Sequence, residues 1–178
     1  LTGQEGIPET YYFPPQYNQI LHEFPHTYFG LNPGTTKEDV VRCLERWNEG
    51  ENGILDHSRA YRIKVGEDGG WMMPPGVLHA PASAVTYEIQ WGTDTFAMFQ
   101  SLVNDMAIPW HLVVKNVPDE KKNDLDFIVS LVDWDNNVRG DFKEHYGRPT
   151  KVAAGGNGSG SVDKWVIYGE SLGEDVFS

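Results

Sequence analysis

Between Gly69 and Gln90 the chain reads GGWMMPPGVLHAPASAVTYEIQ, and Pro74, Gly76 and His79 within it form a Pro-x-Gly-x-x-His turn. Imidazole is the commonest metal-ligating side chain and the one whose ordinary pKa lies near neutrality. Pro74 fixes φ and Gly76 permits a tight reversal. The chain then re-enters a strand, where the period of two decides which way the ring looks. A histidine placed in this way at the mouth of a small barrel is a candidate metal ligand; the alternative is a ring that satisfies a backbone carbonyl at the turn. Tyr11, Trp71 and Trp91 offer aromatic faces that would suit a sugar ring at such a mouth, or else belong to the core. Gln90, on the neighbouring strand, is a second choice for the same cavity.

Several elements must position these groups. Trp71-Met72-Met73 enters the turn, and the alternating stretch Ala84 to Trp91 leaves it as a strand. Upstream, Thr10 to Phe13, Ile20 to Phe24 and Thr27 to Leu31 are short, rich in aromatic and β-branched residues, and punctuated by Pro14-Pro15 and Pro25, which predicts short strands. Thr35 with Glu38 reads as a capping box that opens a helix, with Val40, Val41, Leu44 and Trp47 on one stripe and Gly50 at its end. Its charged face, Lys37, Asp39, Arg42, Glu45 and Arg46, reads as solvated surface. Ala60 to Val65, Thr95 to Gln100 and His111 to Lys115 are further strand candidates. Glu120 to Asp135 changes period and predicts a helix capping one end of a barrel.

Residues 153–161, AAGGNGSGS, have nothing to pack and read as a flexible linker, which makes 1–152 one unit. Residues 162–178 then begin a second β unit or supply a returning strand. The opening Leu1-Thr2-Gly3-Gln4 reads as the middle of something, a fragment or a processed chain.

The 178 residues, 39% apolar, support an ordinary core. No run of about 18 apolar residues could span a bilayer, and no signal segment opens the chain, so a cytoplasmic protein without membrane contact is expected. A formal charge of -12 argues against nucleic acid, whose phosphates need clustered cations, and does nothing to attract a phosphorylated substrate. Cys43 is the single cysteine, which excludes an internal disulfide; it reads as a small packed residue. His22, His26, His57, His111 and His145 share no ligand spacing. Asp133, Asp135, Asn137, Asp141 and Glu144 fall on a calcium-loop template, but Val138 stands where that loop needs Gly, so the stretch reads as a polar connection.

The Pro74 to His79 turn resembles the second motif of cupins, small double-stranded β-barrels that hold one metal ion. Gly6-Ile7-Pro8-Glu9-Thr10-Tyr11-Tyr12, Tyr28-Phe29-Gly30, Thr36-Lys37-Glu38-Asp39, Pro74 to Ala80, Tyr87-Glu88-Ile89-Gln90 and Thr93-Asp94 follow the order and spacing of cupin-type phosphomannose isomerases. The resemblance covers roughly residues 6 to 100. It implies a mostly β, jelly-roll barrel with one or two peripheral helices. It also implies a divalent metal, usually zinc, held by a Gln and a His upstream of Leu1, then by Glu9 and His79, with Glu88 as a base. Where that family places a Lys and an Arg, this chain has Ile7 and Met98, which removes the means of holding phosphate and stabilising an enediolate. The expectation is therefore a metal-binding cupin that binds or acts on a small carbohydrate, and that pairs as a homodimer or with its missing N-terminal part. The alternatives are a non-catalytic sugar-binding or regulatory module, or a cupin dioxygenase using iron; manganese is a further candidate metal.

Overall fold

A computed structural model describes residues 6–15, 17–18, 24–64, 69–90, 92, 95–148, 151–154, 164–168 and 176–177. The chain begins with β1 (Glu9–Tyr12), β2 (His26–Leu31), α1 (Lys37–Glu45), α2 (Gly53–His57) and β3 (Ser58–Arg62). The turn region follows as β4 (Gly70–Met73), β5 (His79–Ala80) and β6 (Tyr87–Gln90). Next come a small hairpin, β7 (Leu102–Val103) and β8 (Met106–Ala107), and the helices α3 (Leu125–Ser130), α4 (Trp134–Asn137) and α5 (Phe142–Tyr146). The last strands are β9 (Gly147–Arg148), β10 (Lys151–Ala154), β11 (Lys164–Tyr168) and β12 (Val176–Phe177).

All described strand pairs are antiparallel. One sheet has the order β6-β1-β4-β9 and a second β3-β2-β5, while β10-β11-β12 and β7-β8 are separate sheets. The β-rich architecture agrees with the sequence; among the described residues no sheet closes on itself, and five short helices replace the expected one or two.

The two larger sheets meet through an aromatic layer. Phe29 of β2 packs 4.7 Å, centroid to centroid, from Trp71 of β4 and 5.5 Å from Tyr11 of β1, with Phe142 of α5 stacked on both Phe29 and Trp71. Period two places Tyr11, Trp71 and Met73 on the face toward β2, and all three are buried. A second apolar cluster joins Leu31 to α1, α2, α3 and the turn at 110–117, through Val40, Leu44, Ile54, Val113 and Ile128.

The helix cap lies one residue beyond the expected place. Thr36, not Thr35, is the N-cap, and Asp39, not Glu38, returns the bond to its backbone N–H at 2.8 Å. Thr35 N–H is spent on Asn32 O, 3.0 Å away, which closes the Asn32-Pro33-Gly34 turn before the helix starts. Thr36→Ala is expected to lower the unfolding free energy by about 1 kcal/mol, and Thr35→Ala to change it far less. Urea denaturation of both variants decides which threonine is the cap.

Two expected strands have other conformations. Residues 95–100 are irregular because their backbone bonds to the following segment, Met98 N–H to Leu112 O and Phe96 N–H to Asn116 Oδ1, both at 3.1 Å. His111 to Lys115 lies in and after a 3-10 turn, Trp110–Leu112, that opens at Pro109. Its buried residues Val113, Val114 and Val117 follow a helical spacing, not alternation. The Glu120 to Asp135 helix is shorter than predicted, since α3 ends at Ser130 and α4 begins at Trp134. The predicted strand at 20–24 falls largely outside the described residues. Ala153 and Ala154, the start of the expected linker, end β10. Among the described residues no helix is long and apolar enough to cross a membrane.

Candidate functional site

Register alone gathers the polar groups. β6 runs beside β1 with Glu88 opposite Tyr11 and Gln90 opposite Glu9, and residues facing one another across a ladder share a face. His79 comes from the other sheet, where β5 pairs it with Phe29. Its ring meets Tyr11 edge-on at 5.4 Å.

Glu9 Oε2 and His79 Nε2 stand 2.5 Å apart across seventy residues of sequence. His79 Nδ1 lies 2.8 Å from Val77 O. A carbonyl only accepts, so Nδ1 carries a proton; the Nε2–Oε2 contact then needs one further proton between ring and carboxyl, or another cation joining them. Burial pulls the pKa of His79 down, but the hydrogen bond and charge of Glu9 outweigh it, helped by the Val77 carbonyl, and the net shift is upward.

Glu88 continues the cluster. Burial and then the negative charge of Glu9 raise its pKa, against the pull of His79 and of the hydroxyl that Tyr11 donates to it. Tyr11 is 2% exposed, and burial, followed by the charges of Glu88 and Glu9, holds its phenol far above the ordinary range. The Gln90 amide orientation that satisfies both carboxylates donates to Glu9 Oε1 and Glu88 Oε1, each at 3.2 Å. A continuous chain of contacts therefore runs from Tyr11 through Glu88, Gln90 and Glu9 to His79.

The turn that carries His79 is held from outside. Asn137, fully buried, donates from Nδ2 to Gly76 O at 2.8 Å and to Asp133 O at 2.7 Å, and its Oδ1 accepts the Leu78 N–H at 2.9 Å. Asp133 N–H also bonds Gly76 O, at 3.0 Å. Gly76 adopts φ +79°, and a Cβ there would come within 3.0 Å of Asp133 N. At Gly30, φ +67°, a Cβ would lie 2.6 Å from Asn137 O. Residues 133–137 thus clasp both the turn and β2. The acidic template seen in the sequence is spent elsewhere: Asp133 caps α4 through Asn136 N–H, and Asp141 pairs with Arg139.

These groups open onto a cleft of about 1140 Å³. Glu9, Tyr11, His79 and Glu88 line it, and so do Ile7 and Met98, the two positions where the resemblance expects cations. No Lys or Arg is among its described lining residues. His26, read from sequence as ordinary, joins the wall with its Nδ1 2.8 Å from Ser83 Oγ; no local spacing signals that contact across 57 residues. Trp71 is 1% exposed within the aromatic layer and does not line the cleft. Trp91 lies outside the described residues. Among the described residues no three His, Cys, Asp or Glu side chains converge as a metal nest; Glu9 and His79 adjoin as a pair, with the Gln90 amide N–H bonded beside them.

The cluster makes stability depend on pH. A group whose folded pKa is raised stabilises fully below its unfolded value and loses that contribution as pH rises through the folded one. His79 (ordinarily 6.5) and Glu88 (ordinarily 4.5) are both raised, so they act in the same direction. Metal-free protein is expected to lose stability as pH rises above 4.5, where Glu88 begins to contribute, and further above 6.5, where His79 does, with a flatter profile in Glu9→Gln, which lacks the charge common to both shifts. Urea midpoints across that range test it; a wild-type profile that rises, or one unchanged in Glu9→Gln, would refute the linkage.

No family model matches the chain, and no curated protein sequence or solved structure is significantly similar to it.

Proposed function

We propose that this chain is a cupin-type barrel that binds a divalent metal through Glu9 and His79 and binds or acts on a sugar-like small molecule in the adjoining cleft. The observation that carries this reading is the Glu9–His79 contact, a carboxylate and an imidazole from different sheets with the second ring nitrogen tied to a backbone carbonyl. That tie leaves Nε2 as the presented donor, which is how ligating histidines are commonly oriented. As the pair stands, a proton fills the gap. A metal taking its place would need the two donor atoms about 3.3 Å apart, the edge of a tetrahedron with bonds near 2.0–2.1 Å. Turning the Gln90 amide over would present Oε1 beside the Glu9 and Glu88 oxygens as a third donor. Nitrogen and oxygen donors of this kind suit zinc first, and manganese or iron as well.

Such an ion, when bound, polarises a carbonyl or hydroxyl oxygen of the substrate. Glu88 is the group for proton transfer: its raised pKa brings it closer to neutral pH, and the Tyr11 hydroxyl orients it. Isomerisation of a phosphosugar is not supported, because Ile7 and Met98 give the wall methyl groups where phosphate and developing negative charge would need cations. The same two residues favour a second reading, a sugar-binding barrel without turnover.

Titration of chelator-treated protein with zinc, manganese and iron(II), read by elemental analysis and calorimetry, tests the metal. One equivalent is expected, with release at pH 6 of the proton that His79 shares with Glu9. Binding of none of the three would remove the metal from this reading.

A further inference from the structure

The cleft is larger and greasier than a simple sugar needs. At about 1140 Å³ it exceeds the roughly 300–1,000 Å³ typical of small-molecule pockets. Its polar groups and its apolar wall belong to different parts of the fold. Glu9, Tyr11, His79 and Glu88 sit where the two larger sheets meet. Leu55, Leu78 and Leu131 line the same cleft from the other apolar cluster, the one built on the helices, with Met98 and the exposed Phe96 beside them. A ligand filling both parts must change character along its length.

Charge narrows the class further. Two carboxylates face the cleft, while no Lys or Arg is among its described lining residues. Lys115 lies over the ring of Phe96 at the wall, 4.6 Å from the ring centroid, and is not itself a lining residue. In the metal-free cleft an anionic head, such as a fatty carboxylate or an alkyl phosphate, would meet two carboxylates whose one cationic neighbour, the His79 ring, is already taken by Glu9. Hydroxyl groups, in contrast, can donate to Glu9 and Glu88 without bringing charge.

We infer that the cleft takes an uncharged amphiphile: a polyol or sugar head against Glu9, His79 and Glu88, with an alkyl or aryl tail along Leu78, Phe96, Met98 and Leu131. This rests on the sugar-like head proposed above and adds the tail and the exclusion of anions.

Calorimetry on the full chain with methyl, hexyl and octyl glucoside below their micellar concentrations, and with octanoate and octyl phosphate, tests it. Affinity is expected to rise about fourfold per methylene as the tail is buried, with both anions at least tenfold weaker than octyl glucoside. Ala97 is exposed yet lines the cleft, so Ala97→Trp should obstruct it without touching the core and weaken octyl glucoside at least tenfold. Equal affinity for methyl and octyl glucoside, octanoate binding as tightly as octyl glucoside, or no effect of Ala97→Trp would each overturn the inference. Metal uptake by the same protein separates the two proposals: chain-length dependence without metal supports the amphiphile and removes the metal, and metal without chain-length dependence does the reverse.

Discussion

Asn137→Ala is expected to lower the free energy of unfolding by about 2 to 4 kcal/mol, from a buried donor left without a partner and the small cavity behind it. Asn137 is fully buried, and its amide is the acceptor for Leu78 N–H. Gly76 O keeps a bond from Asp133 N–H and Asp133 O keeps one from Asn137 N–H, so the orphaned Leu78 N–H carries most of the loss. Asn137→Asp should be at least as damaging near neutral pH. It preserves shape but aims a carboxylate at the Gly76 and Asp133 carbonyl oxygens. Its stability should partly return on acidification, because a protonated carboxyl can donate one bond. Urea denaturation of both variants at pH 7 and pH 4 checks this. A neutral Asn137→Ala, or an Asn137→Asp variant indifferent to acid, would show that the amide is not the clasp.

The second large effect concerns the metal. His79→Ala should weaken zinc binding by more than about 100-fold, beyond the 10- to 100-fold typical when only a ligand's supporting hydrogen bond is lost. Glu9→Ala should weaken it similarly, but the two variants should differ in metal-free stability. Without Glu9, the ring can shed its proton and keep the Val77 bond, at little cost. Without His79, a carboxylate whose side chain is only 14% exposed loses its cationic partner and retains the Gln90 amide. Breaking a buried pair by removing the cation is the costly direction. Competition against a chromophoric chelator measures affinity, and circular dichroism verifies folding. Unchanged zinc affinity in folded His79→Ala would end the ligand assignment.

The sequence showed its local features well. Trp71-Met72-Met73, the turn through Gly76, and the strands around Tyr11, Phe29 and Ile89 all follow from apolar pattern and turn residues, and they fall where predicted within a few residues. The helical period of Trp110, Val113, Val114 and Val117 is equally legible, but Leu112, Val113 and Val114, three adjacent apolar positions, mimic a strand within it. The Asn104-Asp105 turn of the β7–β8 hairpin, with φ of +50° and +60°, is signalled only by Asn and Asp, the residues that tolerate it. Nothing local announces the hold of Asn137 on the turn, where its partners lie 59 and 61 residues back. Seen in one dimension it was a spare member of an acidic loop. The pairing of Tyr11 with Glu88 is likewise a matter of register, and register becomes visible only once the strands are laid side by side.

The clasp of residues 133–137 also ties the site to distant parts of the chain. A bond from Leu78 to Asn137 closes a loop of about sixty residues, and loops of that size close only after their entropic cost can be met by many contacts at once. The strands carrying Glu9 and Glu88 enclose a longer stretch still and bear the same cost. The imidazole cannot be held in its final place until the chain has been folded past α4, so the fold must be nearly finished before its chemistry exists.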